Sequence, residues 1–414
     1  MSNPLHRLLP ASGSLQTVLA QKPLQPFADE TIAFVEAVSA SILKDWRFRP
    51  HPELMALAFW MRRPRLLALQ REMITDETRG VRLARGVVFH IAPGNVDTLF
   101  VYSWFLSLLM GNINIVRLSS RNSVQQNLLL ELLAGLLEEE SFRAIRERTL
   151  VVRYERDDGW SEIISRQVNM RVLWGGDETV AHLRSLPLPP RATELTFPDR
   201  FSLCALGVEA YLALTDKADL AGRFYNDAYW FGQMACSSPR VVFWIGEAGA
   251  GLEEARRLFW QELERIVDLK KPEWQPHVAM DKQVAAAAIG LTVEGVHLLP
   301  GGTAHLQRLW FEDPGSMPRE RHCGGGLFFE SRLADLDALF SWTRSKDQTV
   351  TLFGYSREAI GSSVRRVGPE GVDRIQRVGE ALDFAPIWDG HDLLRAFSRL
   401  LCLPPAERKG DASV

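Results

Sequence analysis

Between residues 81 and 174 the chain alternates apolar strand-like segments with helical ones, and this alternation restricts the fold more than any other feature. RGVVFHIA, INIVRLS, TLVVRYE and MRVLWGG read as strands, and apolar or amphipathic helices separate them. Strands that alternate with helices predict βαβ units, whose strands are parallel and covered on both faces. We therefore expect an α/β fold with a doubly wound sheet in this part of the chain.

A second α/β series follows a proline-rich crossing segment, SLPLPPRATEL. FSLCALG, PRVVFWIGE and TVTLFGY predict strands, and apolar residues at near-helical spacing predict helices over 28–70, before the first series. The expected architecture is two doubly wound lobes with a helical N-terminal layer. The expected boundary lies near residue 205, with 1–205 completed by 375–414 as one lobe and 206–374 as the other.

The composition is that of a large protein of ordinary globular type. The 414 residues exceed the size of a usual single core, and 46% hydrophobic with 24% charged residues is typical of a folded chain. A net charge of −3 provides no global basic field for nucleic acid or anionic lipid. We therefore expect no nucleic-acid partner.

Cysteine usage and apolar segment length indicate the compartment. The four cysteines are scattered, and no CxxC or Cys/His spacing predicts a metal site. The N-terminus lacks an apolar core followed by a small-residue cleavage site, and no stretch approaches the roughly 20 apolar residues of a membrane span. These features predict a cytoplasmic protein with free thiols and no integral membrane span.

The most informative segment, FGQMACSSPRVVFWIG, places Cys236 in a small polar turn directly before a buried strand. A cysteine nucleophile reacts as the thiolate, so it needs nearby donors and access to substrate. Gln233, Ser237 and local backbone amides are the candidate donors. A small buried residue is the ordinary role of a lone cysteine, and only a wider pattern favours catalysis.

That wider pattern is present. GQMAC resembles the segment around the nucleophile of aldehyde dehydrogenases, and HIAPGNVDTLF, INIVRLSSRNS and VLWGGDETV follow that superfamily in the same order. Within it, VLWGGD, KDQTVTLFG and WDGHDLL are similar to the acyl-CoA reductase family of the bioluminescence fatty-acid reductase type. The similarity spans roughly residues 80 to 400, and it implies an aldehyde dehydrogenase-like fold with a cofactor-binding and a catalytic lobe.

The resemblance implies three catalytic residues. Cys236 is the nucleophile, and the Asn95 side-chain amide with the Cys236 backbone amide stabilises an oxyanion. Glu194 roughly matches the general base of aldehyde-oxidising relatives, although the following TFPDRF departs from their glycine-rich sequence. Without the resemblance, Asn95 reads as a helix cap and Glu194 as a surface carboxylate at the start of a strand.

The resemblance also implies where a nicotinamide cofactor binds. Ser120 stands where the family often has a glutamate that holds the adenosine ribose, and Arg121 follows it, so a 2′-phosphate meets no carboxylate and NADPH is expected. Arg121 also reads as a solvated surface residue. Asp177 reads as the N-cap of the helix after the glycine pair. The cofactor-binding candidates are Arg117, Ser119, Ser120, Arg121, Gly175 and Gly176.

These residues predict NADPH-dependent reduction of a fatty acyl thioester to the aldehyde through an acyl group on Cys236. The acyl donor is open between coenzyme A, a carrier protein and an acyl-protein synthetase partner, and the superfamily resemblance suggests a homo-oligomer. Two alternatives remain: an aldehyde dehydrogenase that oxidises aldehydes with Glu194 as base, and a catalytically silent scaffold of the same fold.

Overall fold

The computed structural model describes residues 5–74, 80–94, 99–120, 123–156, 158–272, 276–299 and 304–404. The chain divides into two compact units, Met1–Pro198 with Phe384–Val414, and Asp199–Asp383. The boundaries expected near 205 and 375 would each cut a strand of the second unit, Phe201–Gly207 and Arg374–Arg377. The division therefore falls just outside both strands.

The described residues form the following elements. The helices are α1 (Leu15–Leu19), α2 (Asp29–Lys44), α3 (Pro52–Trp60), α4 (Arg63–Ile74), α5 (Leu99–Leu109), α6 (Val124–Glu138), α7 (Arg143–Arg146), α8 (Trp160–Ser165), α9 (Asp177–Arg184), α10 (Val208–Ala213), α11 (Lys217–Tyr229), α12 (Ala250–Lys270), α13 (Pro276–Thr292), α14 (Leu336–Trp342), α15 (Arg357–Val367) and α16 (Leu393–Ala396). The strands are β1 (His6–Leu9), β2 (Gly80–Ala84), β3 (Val87–Ile91), β4 (Ile113–Leu118), β5 (Thr149–Arg153), β6 (Met170–Trp174), β7 (Thr193–Phe197), β8 (Phe201–Gly207), β9 (Pro239–Ile245), β10 (Val296–Leu299), β11 (Gln307–Phe311), β12 (Leu327–Leu333), β13 (Asp347–Phe353), β14 (Arg374–Arg377), β15 (Ile387–Trp388), β16 (His391–Asp392) and β17 (Ser398–Cys402).

The sheet of the first unit has the order β1-β5-β4-β3-β6-β7 within the described residues, with β1 antiparallel and the others parallel. The chain proceeds from β3 through β4 to β5 and then returns to the other side of β3 with β6. This reversal is the switch point at which doubly wound sheets bind ligands, outside the carboxyl ends of the strands. Helix α5 is buried along its whole length, which explains its continuous apolar sequence.

The sheet of the second unit has the order β10-β11-β12-β9-β8-β13-β14 within the described residues, and β10 is antiparallel to β11. One face of this sheet packs against α11 and α12, and the other packs against α13, α14 and α15. Both faces are therefore covered, as the apolar runs of β8 and β9 predict. The expected α/β fold with two doubly wound sheets and N-terminal helices is confirmed.

The C-terminal segment begins with a short hairpin. Asp389 and Gly390 have positive φ angles of 46° and 72° and connect β15 to β16, the conformation that an Asp-Gly pair favours in a two-residue hairpin. Only the single turn α16 follows, and then β17 pairs antiparallel with β2. No helix in the described ranges is long and apolar enough to cross a membrane.

Candidate active site

Cys236 lies in a turn just before β9, at the amino edge of the second sheet, and is partly exposed. The neighbouring strands β12, β8 and β13 run parallel to β9 and begin at the same edge. The segments that precede these strands therefore converge around Cys236. The expectation of a turn before a buried strand is confirmed.

The backbone before Cys236 is held in an unusual conformation. Phe231, Gly232 and Gln233 have consecutive positive φ angles of 57°, 61° and 66°. Non-glycine residues in this region are strained and persist only where surrounding contacts fix them. A left-handed turn of three residues thus precedes the thiol.

The buried Gln233 side chain supplies contacts that fix this turn. Its Nε2 donates to the carbonyls of Pro239 and Leu327, each at 2.9 Å, and its Oε1 accepts from the Gly326 amide at 2.9 Å. Since both amide hydrogens are used, the expectation that Gln233 donates to the Cys236 thiol is wrong. Gln233 instead ties the turn to the start of β12.

A second left-handed turn packs against the first. Gly324, Gly325 and Gly326 have φ angles of 73°, 63° and 75°. The Gly325 amide donates to the Gly232 carbonyl at 3.0 Å, and a Cβ on Gly324 would lie 2.7 Å from Met234 Sδ. Glycine is therefore required here for two reasons: the backbone angle, and the close approach of this turn to the segment Gly232–Met234.

Polar side chains from β8 and β13 hold Cys236 itself. Ser202 Oγ donates to the Cys236 carbonyl at 2.6 Å and accepts from the Thr349 amide at 3.1 Å. Ser237 Oγ lies 3.9 Å from Cys236 Sγ and donates to Gln348 Oε1 at 3.0 Å. The KDQT segment at the start of β13 thus positions the turn that contains Cys236, a role that the sequence alone did not reveal.

The single hydroxyl hydrogen of Ser237 already has an acceptor. A serine hydroxyl has one hydrogen, and Ser237 donates it to Gln348. In this arrangement Ser237 Oγ has its lone pairs, and no hydrogen, to offer the Cys236 sulfur. Donation to the thiolate requires the Ser237 hydroxyl to leave Gln348.

Arg240 is the cation that interacts with this site. Burial lowers the pKa of Arg240, and the negative charges of Cys236, Asp199 and Cys323 oppose that lowering. A Coulomb interaction acts equally on both partners, so the guanidinium favours the thiolate of Cys236. By contrast, burial raises the pKa of Cys204 to about 12 and also raises the pKa of Cys323.

His322, which precedes β12, and Glu330, which lies within it, both have structural partners. Burial lowers the pKa of His322 to about 3, and its Nε2 bonds to the Leu327 carbonyl at 2.8 Å. Glu330 is fully buried in β12, where it accepts from the indoles of Trp244 and Trp260 at 3.0 and 2.7 Å. Among the described residues no group of His, Cys, Asp and Glu is arranged to hold a metal ion.

The other catalytic candidates lie in the first unit. Asn95 is outside the described residues. Glu194 is on β7, where its carboxylate accepts from Arg171 Nε at 2.6 Å and pairs with Arg184 at 3.3 Å. Arg171 is almost fully buried, so Glu194 neutralises a charge inside the unit. Its catalytic assignment stays a prediction.

The cofactor candidates at the end of β4 and just after it lie at the carboxyl edge of the first sheet. Arg117 Nε and Ser119 Oγ are buried and have no hydrogen-bond partner among the described residues. A Cβ on Gly94, at the end of the neighbouring β3, would lie 3.3 Å from Ser119 Oγ. Buried polar atoms that lack a hydrogen-bond partner at this edge are suited to bind a polar ligand. Arg121 lies outside the described residues.

The glycine pair after β6 is at the same edge. Gly176, not Asp177, is the N-cap of α9, with φ −64° and ψ 159°, so the expected cap at Asp177 is wrong. Asp177 and Glu178 occupy the first turn, where carboxylates stabilise the helix dipole and repel a phosphate. Binding of a cofactor phosphate by Gly175 and Gly176 stays a prediction.

Comparison with known structures shows the fold. Aldehyde dehydrogenase 21 from Physcomitrella patens, solved in complex with the reaction product succinate, has a TM-score of 0.66 at 11% identity over 94% of this chain and 88% of that chain. A 1-pyrroline-5-carboxylate dehydrogenase from Thermus thermophilus has a TM-score of 0.67 at 12% identity, covering 94% and 83%. A NAD-dependent benzaldehyde dehydrogenase from Corynebacterium glutamicum has 0.64 at 12%, covering 93% and 86%.

Comparison of sequences shows the family. The long-chain acyl-protein thioester reductase of Aliivibrio fischeri is 26% identical over 317 residues, which cover 72% of this chain and 61% of that relative. Residues 67–293 match the family of acyl-CoA reductases (LuxC). The chain therefore belongs to the acyl-CoA reductase (LuxC) family, and its fold is similar to that of the aldehyde dehydrogenases.

Proposed function

We propose that this protein reduces a fatty acyl thioester to the aldehyde through an acyl group carried on Cys236. One observation supports the proposal above the others. The thiol is partly exposed and follows a strained turn, and contacts of Gln233, Ser202 and Gln348 hold this segment in place. Strain that surrounding contacts maintain is typical of a catalytic position and not of a core cysteine.

Cys236 thiolate attacks the carbonyl carbon of the acyl thioester, the new C–S bond forms, and the thiol of the donor leaves. Arg240 favours the thiolate through its charge. The thiol proton passes to the departing thiolate or to solvent. A reduced nicotinamide cofactor supplies a hydride to the acyl carbon when it is bound.

After reduction, Cys236 carries a thiohemiacetal oxyanion. The backbone amide of Cys236 and the side chain of Asn95 are the proposed donors to this oxygen. Collapse of the oxyanion breaks the C–S bond, releases the aldehyde and restores the thiolate. Because Ser202 donates a hydrogen bond to the Cys236 carbonyl, the turn keeps one orientation through both steps.

The surroundings of the thiol suit an apolar acyl chain. Trp230 and Phe231 are half-buried and Met234 is 44% exposed, all within six residues of Cys236. Phe100 and Trp104, which are also apolar and lie near the strand motifs in sequence, are core residues of the first unit. The acyl donor, an acyl-protein synthetase partner and a homo-oligomeric state belong to the proposal.

NADPH is the donor that the sequence predicts. Ser119 Oγ and Arg117 Nε, which have no hydrogen-bond partner among the described residues, support a polar ligand at the edge of the first sheet. The aldehyde-oxidising alternative requires Glu194 to deprotonate water. Its carboxylate accepts from Arg171 and pairs with Arg184, so these guanidinium groups compete with a water molecule for its oxygens. The reductive direction therefore has the better support.

The test is the intact mass of the protein after mixing with a long-chain acyl-CoA in the absence of cofactor. We expect one acyl adduct on the wild-type protein and none on Cys236→Ala. Addition of NADPH or NADH should discharge the adduct and form aldehyde. Turnover of Cys236→Ala should fall by several orders of magnitude, because the covalent route is removed.

Two matched variants separate catalysis from adventitious acylation. Cys323→Ala removes the other half-buried thiol, and Cys402→Ala removes the exposed one. Both should keep the adduct and its discharge. An adduct that survives in Cys236→Ala, or an adduct that neither cofactor discharges, would contradict the proposal.

A further inference from the structure

A carboxylate lies beside Ser120, although the sequence around Ser120 contains none. Leu118 at the end of β4 pairs with Arg153 at the end of β5, so the residues two positions further on, Ser120 and Glu155, are neighbours. Ser120 Oγ lies 3.1 Å from Glu155 Oε1 and 3.2 Å from Oε2, and it donates to this carboxylate. Both residues are exposed and thus accessible to a ligand.

The strand order indicates which part of a dinucleotide would meet this pair. In doubly wound sheets the dinucleotide lies across the carboxyl ends of the strands, and an acidic residue at the end of the second strand binds the adenosine ribose hydroxyls. Here β3 is the first parallel strand, and Ser119 and Ser120 follow the second, β4. The acidic residue follows the next strand, β5, and is Glu155.

No direct ion pair neutralises Glu155 among the described residues. Arg117 donates to a backbone carbonyl at 3.4 Å, and Arg153 donates to a carbonyl and an amide oxygen at 3.0 and 2.8 Å. Arg156 follows Glu155 and is exposed. The Glu155 carboxylate has Ser120 as its hydrogen-bond partner within the described ranges. Its acceptor capacity therefore remains available to a ligand.

We propose that Glu155 determines how this protein discriminates between NADH and NADPH, an inference that rests on the nicotinamide cofactor of the proposed function. Ribose hydroxyls donate to a carboxylate, whereas a 2′-phosphate brings negative charge next to it. Glu155 therefore favours NADH and opposes NADPH. This is the reverse of the preference that Ser120 alone predicts.

The test is direct binding of each cofactor, measured by the fluorescence of the reduced nicotinamide, to the full-length protein and to Glu155→Gln. Glutamine keeps the size and one acceptor oxygen and removes the charge. The ratio Kd(NADH)/Kd(NADPH) should rise at least about tenfold in the variant, mainly because NADPH binds more tightly. The difference should shrink at high salt, since screening weakens charge repulsion.

Glu162→Gln on α8 is the matched control, because Glu162 is an exposed carboxylate of the same unit, paired with Arg166. Its ratio should equal that of the wild type. A ratio for Glu155→Gln within twofold of the wild type, or equal weakening of both cofactors, overturns the inference alone. Wild-type protein that binds neither cofactor overturns the proposed function together with this inference.

Discussion

Asp227 on α11 is a buried carboxyl group whose hydrogen bonds connect distant parts of the second unit. Its oxygens accept from the amides of Gly379 and Ala381 at 2.6 and 2.9 Å, and the residue is 1% exposed. Burial raises the pKa of Asp227 to about 7, although both amide bonds oppose the shift, and Asp383 adds to it while Arg374 counters it. The folded protein therefore favours the protonated form of Asp227 more strongly than the unfolded chain does.

This shift predicts a pH dependence of stability. Because the folded pKa lies above the ordinary value of 3.8, the stabilising contribution is complete below about pH 4 and is lost as pH rises through about 7. Asp227→Asn removes this titration. The free energy of unfolding of the variant, relative to wild type, should therefore rise between pH 4 and pH 7, by on the order of 2–4 kcal/mol. Denaturant titrations at several pH values measure it, and a pH-independent difference would contradict the assignment.

At the scale of elements, the site depends on two left-handed turns, the segment Phe231–Gln233 and the glycine segment Gly324–Gly326. Each turn satisfies backbone groups of the other through the Gly325–Gly232 bond and the Gln233 side chain. Strands β9 and β12 fix the spacing between the turns because they are adjacent and parallel. Neither turn is stable as a local structure, so the pair forms only with the sheet.

Gly325→Ala tests this dependence. A Cβ at Gly325 would lie 2.5 Å from Val278 Cγ1, and the φ of +63° disfavours any side chain. The variant should lose at least about 1–2 kcal/mol of stability from the backbone alone. Thermal denaturation measures this loss. Val278→Ala combined with Gly325→Ala should recover only the steric part.

Gly290→Ala is the matched control for this substitution. Gly290 lies in helix α13 with nothing within 4 Å of an added Cβ. Alanine there should leave the melting temperature unchanged or raise it, because alanine is the better helix former by up to about 1 kcal/mol. If Gly325→Ala behaves like Gly290→Ala, the left-handed turn is not under constraint.

At the scale of the molecule, the second unit contains a complete sheet with a core on each face. All members of both core clusters lie between residues 199 and 383, and the strands from β8 to β14 pair only with one another among the described residues. The first unit, by contrast, needs residues from both ends of the chain, since β17 pairs with β2.

A fragment of residues 199–383 should therefore fold by itself and unfold in one cooperative transition. The matched control is the fragment 206–374, which follows the boundaries expected from the sequence and removes most of β8 and β14. That shorter fragment should lack a cooperative transition in circular dichroism, because β8 is a central strand. Equal behaviour of the two fragments would contradict the division of the chain.

The sequence predicted central strands and missed several edge elements, for a physical reason. Buried strands such as β9 carry continuous apolar runs that are visible locally. The edge strand β14 is polar, with the sequence RIQR, and forms only because a neighbour is present. Cys236 was found through a local motif. The contact of its neighbour Ser237 with Gln348, and the contact of Ser120 with Glu155, join residues 111 and 35 positions apart and depend on strand register.

The pairing of β17 with β2 also has a consequence for biosynthesis. Arg85 bonds to the carbonyl of Ser398, 313 residues later in the chain. At about 5–20 residues per second of translation, the first unit waits roughly 15 to 60 seconds for its closing strand. The second unit emerges completely during that interval. The nascent chain thus completes the unit that contains Cys236 before the unit expected to bind the cofactor, and β2 remains an unpaired edge until β17 has emerged.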